Sequence, residues 1–513
     1  MARPDEPIGP RRPPLPVLLI AADTGGGHRA AAQAISEELT RLYPDRFAPV
    51  LCDPLLGHPS RGVGAAWPLR AICGLYGPVI RLAPWLWGAV WHATDSRLAQ
   101  WLLRHSLLVL ARRPTAAAVT RHQPAVIVSL HPLTGSAAAW ARARHAPSVP
   151  LVTVVTDLVT PHASWRDGAS DLIVTPTAAA AARLTGAAHR PDQKRLVSPP
   201  AKAGAPVEAG LPVGAGFRQG PAGPWERVAL RRSLGVPADR FLVVLTGGAE
   251  GCGRMARRTA ALAQRPGDVQ VVAICGRNRR LRRRLERLAT RCADRLTVLG
   301  FVPNMADWLR CADIVAGKAG PGTIAEAACC GAPLILTAQL PGQEKGNAAF
   351  VAQAGAGRYV PQTRRFAREV ARLRADPATL ESMREASARL ARPTAATAIA
   401  TALAALADPH LTHPRLTEVP RAQLRRAEAP LAQPQPAEPH LANVPLVIVE
   451  DFGCSYDQNP PRSADSPPRQ LPVGPVGPEM GVESGLAGPG PDLAQAGSGS
   501  VGALAGWGPG HGD

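Results

Sequence analysis

The chain has 513 residues, and its 58 lysine and arginine residues exceed its 39 acidic residues, which gives a formal net charge of +19. This length allows two or three domains with a substantial core. The nine cysteines are scattered, with no C-x-x-C pair and no Cys and His at metal-ligand spacing. That pattern argues against a disulfide framework or a structural metal site, and it indicates reduced thiols in a cytosolic protein.

The positive charge lies before residue 430, because the remainder contains several acidic residues and only two arginines, Arg462 and Arg469. A strongly basic chain favours anionic partners such as lipid headgroups, nucleic acid or phosphorylated substrates. A solvated, arginine-rich surface is the simpler interpretation, and it accounts for much of the excess positive charge.

Residues 1–14 are rich in Pro and Arg and are predicted to be a mobile N-terminus. The apolar run 17–22 leads directly into a glycine loop, which indicates a first β-strand rather than a signal peptide. Ala-rich helical stretches then alternate with further apolar runs at 125–130, 151–156 and 172–175. This alternation predicts βαβ units with a buried parallel sheet, and we assign residues 15–205 to a first domain.

The apolar segment 71–91 is about long enough to span a bilayer. It contains Arg81 and two prolines, however, and it lies between elements of a globular βα series. An interfacial segment fits better, with Trp85, Trp87 and Trp91 at the level of the headgroups and Arg81 facing anionic lipid. An insertion that covers the core of the first domain is the alternative.

A region rich in Pro, Gly and Ala ends in a linker at 206–224. A second βα series forms a domain over 225–377, with apolar runs at 241–245, 269–275, 296–299, 314–316 and 333–336. Two similar α/β halves imply a cleft, where ligands of open parallel sheets bind. Residues 378–407 are predicted to be closing helices, and residues 408–513 to be a disordered tail with one short strand at 444–449.

The first glycine motif, Asp23-Thr24-Gly25-Gly26-Gly27-His28-Arg29, follows the first strand at the carboxyl edge of its sheet. Gly26 and Gly27 let a substrate approach the backbone closely and leave the next helix with an open N-terminus. His28 is the best candidate for a general base, because imidazole accepts a proton near neutral pH. A histidine that caps or packs the helix is the alternative.

His131 and Asp157 follow the next two strands of the series, and both are expected to face the same cleft. Asp157 would then orient or assist the base. For each of the two residues, a role in stabilising its own loop is an equal alternative.

Three loops of the second half are candidates for contacts to a nucleotide donor. A second glycine loop at 247–253 includes Gly248 and is expected to approach a phosphate or sugar from the opposite wall. Arg277 ends the next strand and is a candidate nucleotide contact, although the arginine run after it has the pattern of a solvated helix face. Phe301 and Val302 lie in a strand-to-helix loop where a base stacks or bonds to backbone groups.

The most specific chemistry lies in residues 318–347. Gly320, Pro321 and Gly322 form a turn without bulky side chains, and this turn is expected to open a helix at Thr323. A helix N-terminus offers unpaired N–H groups and a partial positive charge, which suit a pyrophosphate.

Acidic and amide side chains follow that turn. Glu326 lies one helical turn on, where its carboxylate accepts from a ribose diol, and Gln343 with Glu344 is expected to hold sugar hydroxyls after the next strand. No D-x-D occurs in the chain, so we expect neither a metal nor a cofactor at the diphosphate. The helix end and Lys318 would instead stabilise the leaving group.

These motifs together resemble the monogalactosyldiacylglycerol synthases and the related bacterial diacylglycerol glucosyltransferases. The resemblance covers roughly residues 16–400, and it is carried by residues 23–29, 131–133, 211–213, 274–278, 301–305, 318–327 and 342–347. It implies the GT-B fold of glycosyltransferase family 28, with two Rossmann-like domains that face a central cleft. It also implies a metal-independent, inverting transfer of hexose from a UDP-sugar.

The resemblance assigns roles to individual residues. It makes His28 the base and Glu326 the ribose ligand, and it places Gln343 and Glu344 on the donor hexose. The backbone around Phe301 and Val302 would contact uracil. The diphosphate would lie against Gly322 and Thr323, with Asn347 nearby.

The resemblance places the donor in the second domain and diacylglycerol in the first. The tryptophan-bearing insertion at 64–110 would face the lipid. One departure lies in the second glycine loop, where Ala249 stands at the position of an expected third glycine.

The resulting hypothesis is an inverting glycosyltransferase that makes β-monoglycosyldiacylglycerol, peripherally bound to the cytoplasmic face of the cell membrane. Its partners would be UDP-glucose or UDP-galactose, diacylglycerol and anionic lipids, and not nucleic acid. The alternatives are the N-acetylglucosaminyltransferase that makes lipid II, a UDP-sugar 2-epimerase, and an inactive sensor of sugar nucleotide or lipid.

Overall fold

The first half of the fold is built on a six-stranded parallel sheet. A computed structural model describes residues 13–22, 26–56, 67–166, 168–185, 206–264 and 267–411. The strand order is β2-β1-β3-β4-β5-β6. The strands are β1 (Leu15–Ile20), β2 (Phe47–Cys52), β3 (Val126–Ser129), β4 (Leu151–Val154), β5 (Leu172–Thr175) and β6 (Pro206–Glu208).

Helices cover this first sheet and connect its strands. They are α1 (Gly27–Leu42), α2 (Trp67–Leu82), α3 (Pro84–Thr94), α4 (Arg97–His105), α5 (Arg112–His122), α6 (Gly135–His145) and α7 (Ala178–Thr185). Strands β3 and β4 are buried along their length, and β1 is buried from Val17 onward, because apolar side chains pack on both of their faces. This is the pattern expected of central strands in a parallel sheet.

The second half repeats the plan with another six-stranded parallel sheet, in the order β12-β11-β10-β7-β8-β9. Its strands are β7 (Phe241–Thr246), β8 (Val269–Ile274), β9 (Leu296–Leu299), β10 (Ile314–Lys318), β11 (Leu334–Ala338) and β12 (Gly357–Tyr359). The accompanying helices are α8 (Pro224–Ser233), α9 (Met255–Ala263), α10 (Arg279–Ala289), α11 (Met305–Cys311), α12 (Pro321–Cys329), α13 (Asn347–Gln353), α14 (Thr363–Arg374), α15 (Pro377–Leu390) and α16 (Ala395–Ala407). The predicted fold class, two α/β halves with parallel sheets, is confirmed.

Three strands lie outside the predicted set, and all three are edge strands. Strand β2 contains Pro49, β6 begins at Pro206 and β12 begins at Gly357. An edge strand pairs on one side only, so it needs no continuous apolar run and it tolerates proline. The segment predicted as a linker at 206–224 therefore begins with a strand of the first sheet.

The two helices at the end of the described chain belong to different halves. Helix α15 packs on α12 of the second half. Helix α16 packs on α1, and its Ile399 and Leu403 lie in the core of the first half. The segment predicted as a pair of closing helices therefore crosses from one half to the other. The predicted tail lies outside the described residues after position 411.

Two apolar stretches of the chain have about the length needed to cross a membrane. The predicted interfacial segment 71–91 forms most of α2 and most of α3, which are separated at Ala83. In the described part of the chain, Pro377–Ala407 is long and apolar enough to cross a membrane by length and composition. It consists of α15 and α16, whose buried faces pack on the two halves.

Candidate active site

The carboxyl ends of β1, β3 and β4 bring the predicted residues of the first half together. Strand β1 pairs with β3, and β3 pairs with β4. His28 therefore lies near His131, and Asp157 follows β4 at the same edge of the sheet. Of the first glycine motif, Asp23, Thr24 and Gly25 lie outside the described residues.

His28 is held by two hydrogen bonds to its Nδ1 atom. The carbonyl oxygen of Leu130 and the Oγ1 atom of Thr156 each lie 2.8 Å away. A carbonyl oxygen can only accept, so Nδ1 carries the proton and Nε2 keeps its lone pair. Burial lowers the pKa of His28 to about 4, although the bond to Leu130 acts in the opposite direction. The imidazole is therefore neutral near pH 7 and able to accept a proton at Nε2.

Aromatic rings surround His28. The ring of His131 lies edge-on with its centroid 4.5 Å away, and the ring of Trp165 lies 6.1 Å away. Burial, and to a lesser extent the neighbouring His28, lowers the pKa of His131 well below its usual range. All three rings are buried, so His28 lies in a pocket from which most water is excluded.

Asp157 does not contact the base, which corrects the expectation that it orients His28. Its Oδ2 atom accepts a hydrogen bond of 2.6 Å from Nε1 of Trp165. Burial raises the pKa of Asp157 to about 6, against hydrogen bonds from Trp165, Gln343 and the His162 backbone that favour the charged form. Asp157 thus links the wall around His28 to the loop that carries Gln343.

The two glycine loops meet at Gly26 and Ala249. Gly26 has a φ of 85°, and a methyl group built on it would lie 2.9 Å from the Cβ atom of Ala249. The Ala249 carbonyl accepts from the Arg277 backbone N–H at 2.7 Å, which braces the second loop against the end of β8. Gly248 is half-buried in the same loop, beside the Lys318 side chain.

The turn after β10 forms an open helix N-terminus beside a lysine. Helix α12 begins at Pro321, two residues before the predicted Thr323, and Gly320 is its N-cap. A methyl group on Gly320 would lie 3.0 Å from Nζ of Lys318. The unpaired N–H groups of Gly322 and Thr323 and the lysine ammonium therefore lie close together, as the prediction of a diphosphate site requires.

Glu344 and Asn347 support this turn from within the protein. The buried Glu344 carboxylate forms an ion pair with Lys318 through Oε1 and accepts from the Leu340 backbone N–H at 2.9 Å through Oε2. Both of its oxygens are thus engaged inside the protein, which differs from the expected sugar contact. Asn347 donates to the Ala319 carbonyl at 2.9 Å, and its buried Oδ1 has no partner in the described part of the chain.

Residues 341–346, which we call the donor loop after their predicted role, are held by the first half of the fold. The Thr160 hydroxyl donates to the Lys345 carbonyl at 2.7 Å. The half-buried Gln343 accepts from the Tyr76 hydroxyl at 3.3 Å. Trp91 lies so close to Gly342 that no side chain fits there. The donor loop is therefore shared between the two halves of the fold.

The remaining predicted donor residues line the same sheet edge. Glu326 is half-buried on α12, and burial raises its pKa to about 7. Its Oε1 atom lies 3.9 Å from where a methyl group on Gly322 would be. Phe301 is exposed after β9, whereas Val302 packs on the core of the second half. Within the described residues, no group of three or more His, Cys, Asp or Glu side chains is placed to hold a metal ion.

Only Trp85 of the predicted lipid-facing tryptophans lies on the outer surface. It is 71% exposed, whereas Trp91 is 6% exposed and packs on the His162 ring. Trp87 is half-buried against Tyr76, and Arg81 forms an ion pair with Glu250 of the second glycine loop. The prediction that Trp91 faces lipid is therefore wrong, because the inner face of α2 and α3 packs on the second half. Trp87 and Arg81 also make contacts within the protein, and their contact with lipid stays a prediction.

The exposed face of α2 to α4 is nevertheless strongly apolar. Its exposed large side chains are those of Trp67, Ile72, Leu75, Leu82, Trp85, Leu86, Val90, Leu98, Trp101 and Leu102. We call this set the apolar face. So many exposed large apolar residues within one segment of the chain are typical of an interaction surface.

Several site residues escaped the sequence analysis. Thr156 immediately precedes Asp157 in the segment that follows β4. Its position after a predicted strand is the sequence feature that could have identified it as a site residue. Thr160 and Trp165 lie further along the same loop, where no local pattern indicates their contacts. Tyr76 lies in the apolar segment 71–91. Its contact with Gln343 depends on the packing of α2 against the donor loop, which the sequence does not reveal.

Two protein-family descriptions match the chain. The C-terminal domain of glycosyltransferase family 28 matches residues 242–399, and the monogalactosyldiacylglycerol (MGDG) synthase family matches residues 28–197. A probable monogalactosyldiacylglycerol synthase 2, chloroplastic, of Oryza sativa subsp. indica is 33% identical over 366 residues, which cover 69% of this chain and 73% of the rice protein. Monogalactosyldiacylglycerol synthase 1, chloroplastic, of Arabidopsis thaliana is 30% identical over 405 residues, with 74% and 69% covered.

Solved structures with a similar course of the chain have low sequence identity. MurG of Acinetobacter baumannii has a TM-score of 0.48 at 14% identity and covers 76% of this chain and 99% of its own. Anabaena HepE, solved with UDP and glucose, has a TM-score of 0.47 at 17% identity with the same coverage.

Proposed function

Because the chain belongs to the monogalactosyldiacylglycerol synthase family, and is thus a GT-B glycosyltransferase of glycolipid synthesis, we propose that it transfers a hexose from a UDP-sugar to diacylglycerol. The donor is UDP-glucose or UDP-galactose, and the product is a β-monoglycosyldiacylglycerol. One observation carries the proposal. The Nε2 atom of His28 keeps its lone pair at the sheet edge where the two glycine loops meet.

The reaction is a single displacement at the anomeric carbon. The diacylglycerol hydroxyl attacks from the face opposite UDP, and its proton passes to Nε2 of His28 as the new C–O bond forms. The bond between the anomeric carbon and the diphosphate oxygen breaks, and its electron pair leaves with UDP. The configuration therefore inverts. The carbonyl of Leu130 and the hydroxyl of Thr156 stabilise the imidazolium that forms.

The N-terminus of α12 and the Lys318 ammonium stabilise the negative charge on the leaving diphosphate. The backbone N–H groups of Gly322 and Thr323 point out of the helix N-terminus, and the Lys318 ammonium lies beside Gly320. Such preorganised donors stabilise charge that develops in a transition state. We propose that they take the place of a metal ion. Glu344 holds Lys318 in position through their ion pair.

The nucleoside would lie along the loops that follow β9 and β10. Glu326 is suited to a ribose diol because its half-buried carboxylate gains a hydrogen-bond donor when ribose binds. The exposed ring of Phe301 and the backbone at Val302 are suited to uracil. Arg277 and Gly248 lie at neighbouring strand ends, on the side nearer the first glycine loop.

The apolar face would bring the site to its lipid substrate. Trp85 and Leu82 are 71% and 85% exposed at the junction of α2 and α3. Tryptophan and leucine side chains on a surface helix enter the boundary between headgroups and acyl chains. We therefore propose peripheral binding at the cytoplasmic face of the cell membrane, with anionic lipid as an additional partner.

The test is a donor screen with purified protein. Radiolabelled UDP-glucose or UDP-galactose is incubated with diacylglycerol in mixed vesicles, and the lipid product is identified by mass spectrometry. We expect one labelled hexosyl lipid from the wild type. His28→Ala should lower the rate of its formation by at least about 10³-fold, which is the order of magnitude that general-base catalysis contributes. His145→Ala, which removes an exposed histidine of α6, is the matched control and should retain full activity.

Two outcomes would contradict the proposal in different ways. Normal turnover by His28→Ala would contradict the mechanism but not the reaction. No hexosyl lipid from either donor would contradict the reaction. A parallel incubation with UDP-N-acetylglucosamine and lipid I, or with no acceptor, would then reveal a lipid II synthase or a 2-epimerase.

A further inference from the structure

Tyr76 of α2 reaches across to the donor loop of the second half. Its hydroxyl donates to Oε1 of Gln343 at 3.3 Å, which is long for an O–H···O bond. Its ring packs edge-on against Trp87, with the centroids 4.9 Å apart, and it adjoins the small apolar cluster of Ile80 and Leu340. The ring is thus fixed by packing, and the hydroxyl is its polar contact with the loop.

The Tyr76 hydroxyl keeps its proton under all ordinary conditions. Burial, followed by the nearby carboxylates of Glu344, Asp157 and Glu250, raises the pKa of Tyr76 well above its usual range. A phenol that stays protonated beside an amide oxygen is a dependable donor. The Oε1 atom of Gln343 is therefore directed towards α2.

The other end of the Gln343 amide is directed towards Asp157. A hydrogen bond from the Gln343 side chain favours the charged form of Asp157. A carboxylate accepts and does not donate, so the Nε2 group of Gln343 must face it. Tyr76 and Asp157 together thus determine which end of the amide carries oxygen and which carries nitrogen.

We propose that Tyr76 is a positioning residue that fixes the orientation of the Gln343 amide and thereby sets which hexose epimer the donor loop accepts. The proposal rests on the proposed function and on the contact between Gln343 and the donor hexose that the family resemblance predicts. With one lone pair and one N–H engaged, the amide has one of each left for the sugar. Glucose and galactose differ in the direction of one hydroxyl, so a fixed amide can satisfy only one of them fully.

Removal of the Tyr76 hydroxyl tests this directly. Tyr76→Phe keeps the ring and its contact with Trp87, and it frees the amide to rotate. We expect the ratio of kcat/KM for the two donors to move towards unity by about 3- to 10-fold, the range of one neutral hydrogen bond. The melting temperature should stay within a few degrees of the wild type. Tyr43→Phe is the matched control, since Tyr43 also packs against another aromatic ring, that of Phe47, but lies in the core of the first half.

A double variant shows whether Tyr76 acts through Gln343. Gln343→Ala should abolish most of the donor preference, and Tyr76→Phe should then add no further change. The proposal is overturned if Tyr76→Phe leaves the donor ratio unchanged, or if it changes the ratio equally with and without Gln343. A structural role alone would lower both donors in parallel.

Calorimetric binding of the two intact donors, without acceptor, gives the ratio of their dissociation constants, a measure of donor preference that is independent of turnover. Donor binding with no glycolipid product would contradict the proposed function and still measure the effect of Tyr76. Glycolipid synthesis with an unaltered ratio would contradict only the proposal about Tyr76.

Discussion

The Nδ1 atom of His28 lies 2.8 Å from the carbonyl oxygen of Leu130, and this contact ties the start of α1 to the end of β3. The two residues are 102 positions apart in the chain. They meet because β1 and β3 are paired neighbours, so the segments that follow them emerge side by side. The backbone carbonyl thereby selects one tautomer of the imidazole and directs its lone pair away from the sheet.

His28 should stay neutral across the physiological range. Its folded pKa of about 4 lies below the ordinary value of 6.5, so nitrogen-detected NMR should show an Nδ1–H tautomer from pH 8 to about pH 5. A titration near 6.5 would contradict this assignment. Activity should likewise show no inflection from His28 in that range.

The same shift has a consequence for stability. Between pH 6.5 and 4 the unfolded chain takes up a proton at His28 that the folded protein does not, so the folded state loses stability as the pH falls. The full stability that the neutral His28 provides is present above pH 6.5. A pKa shift of this size corresponds to about 3 kcal/mol in the free energy of unfolding. His28→Gln should therefore unfold with a weaker pH dependence over this interval, measured by urea denaturation at several pH values.

Asp157→Asn should stabilise the protein and impair catalysis. The folded pKa of Asp157, about 6, lies above the ordinary value of 3.8 because of burial. The buried charge therefore destabilises the folded state at pH 7.5, by on the order of 2–3 kcal/mol, and the effect disappears as the pH falls through 6 towards 3.8. Asparagine removes that charge but weakens the link between Trp165 and Gln343.

The measurement is the melting temperature of Asp157→Asn at pH 7.5 and pH 4, alongside kcat/KM at pH 7.5. We expect a rise at the higher pH, a smaller difference at the lower pH and a loss of activity. Asp239→Asn replaces an exposed aspartate and should change neither quantity. A lower melting temperature for Asp157→Asn at pH 7.5 would show that its hydrogen bonds outweigh the cost of burial.

Lys318 and Glu344 should behave as a unit in stability but not in donor binding. Lys318→Met leaves the buried Glu344 charge uncompensated and should destabilise the protein by about 3–5 kcal/mol. Adding Glu344→Gln removes that charge, so the double variant should recover most of the stability. It should still bind the UDP-sugar weakly, because the ammonium beside α12 is missing.

Urea denaturation and donor titration calorimetry separate the two effects. The exposed pair Arg282–Glu286 on α10 serves as a control, and its replacement by Met and Gln should cost about 0.5 kcal/mol or less. Full donor affinity in the Lys318→Met/Glu344→Gln variant would exclude Lys318 from the diphosphate site.

Strand ends were the part of the site that sequence could predict. In a parallel sheet, the residues after successive strands emerge at one edge, so His28, His131 and Asp157 could be placed together from the apolar runs alone. Their detailed partners could not be, since Trp165 lies at the end of a short 3-10 helix whose position relative to Asp157 is not encoded in any local pattern. Likewise, the return of α16 to the first half depends on contacts between residues more than 350 positions apart, such as Glu38 and Thr397.

Helical geometry could have predicted which tryptophans of α3 lie on the same side of the helix. Trp87 and Trp91 are four residues apart and share a face, whereas Trp85 is turned by about 200° from Trp87. Composition treats the three tryptophans alike, which is why all were expected to face lipid. The structure separates them, with Trp85 outside and Trp91 against the donor loop.

This separation gives a matched set of tryptophan variants that tests the apolar face. Trp85→Ser should weaken sedimentation with vesicles of phosphatidylcholine and phosphatidylglycerol by about tenfold, because partial insertion of a large apolar side chain is worth on the order of 1.5 kcal/mol. Its melting temperature should not change. Trp225→Ser removes an 87% exposed tryptophan of α8, outside the apolar face, and should leave vesicle binding intact.

Trp91→Ser should give the opposite result from Trp85→Ser. Trp91 fills the space between Gly342 and His162, so its loss creates a cavity and should destabilise the protein by about 3–5 kcal/mol. Vesicle binding measured well below its melting temperature should be nearly unchanged, because the ring is not part of the outer surface. If Trp85 and Trp225 variants lose vesicle binding equally, general surface hydrophobicity binds the membrane and the apolar face has no special role.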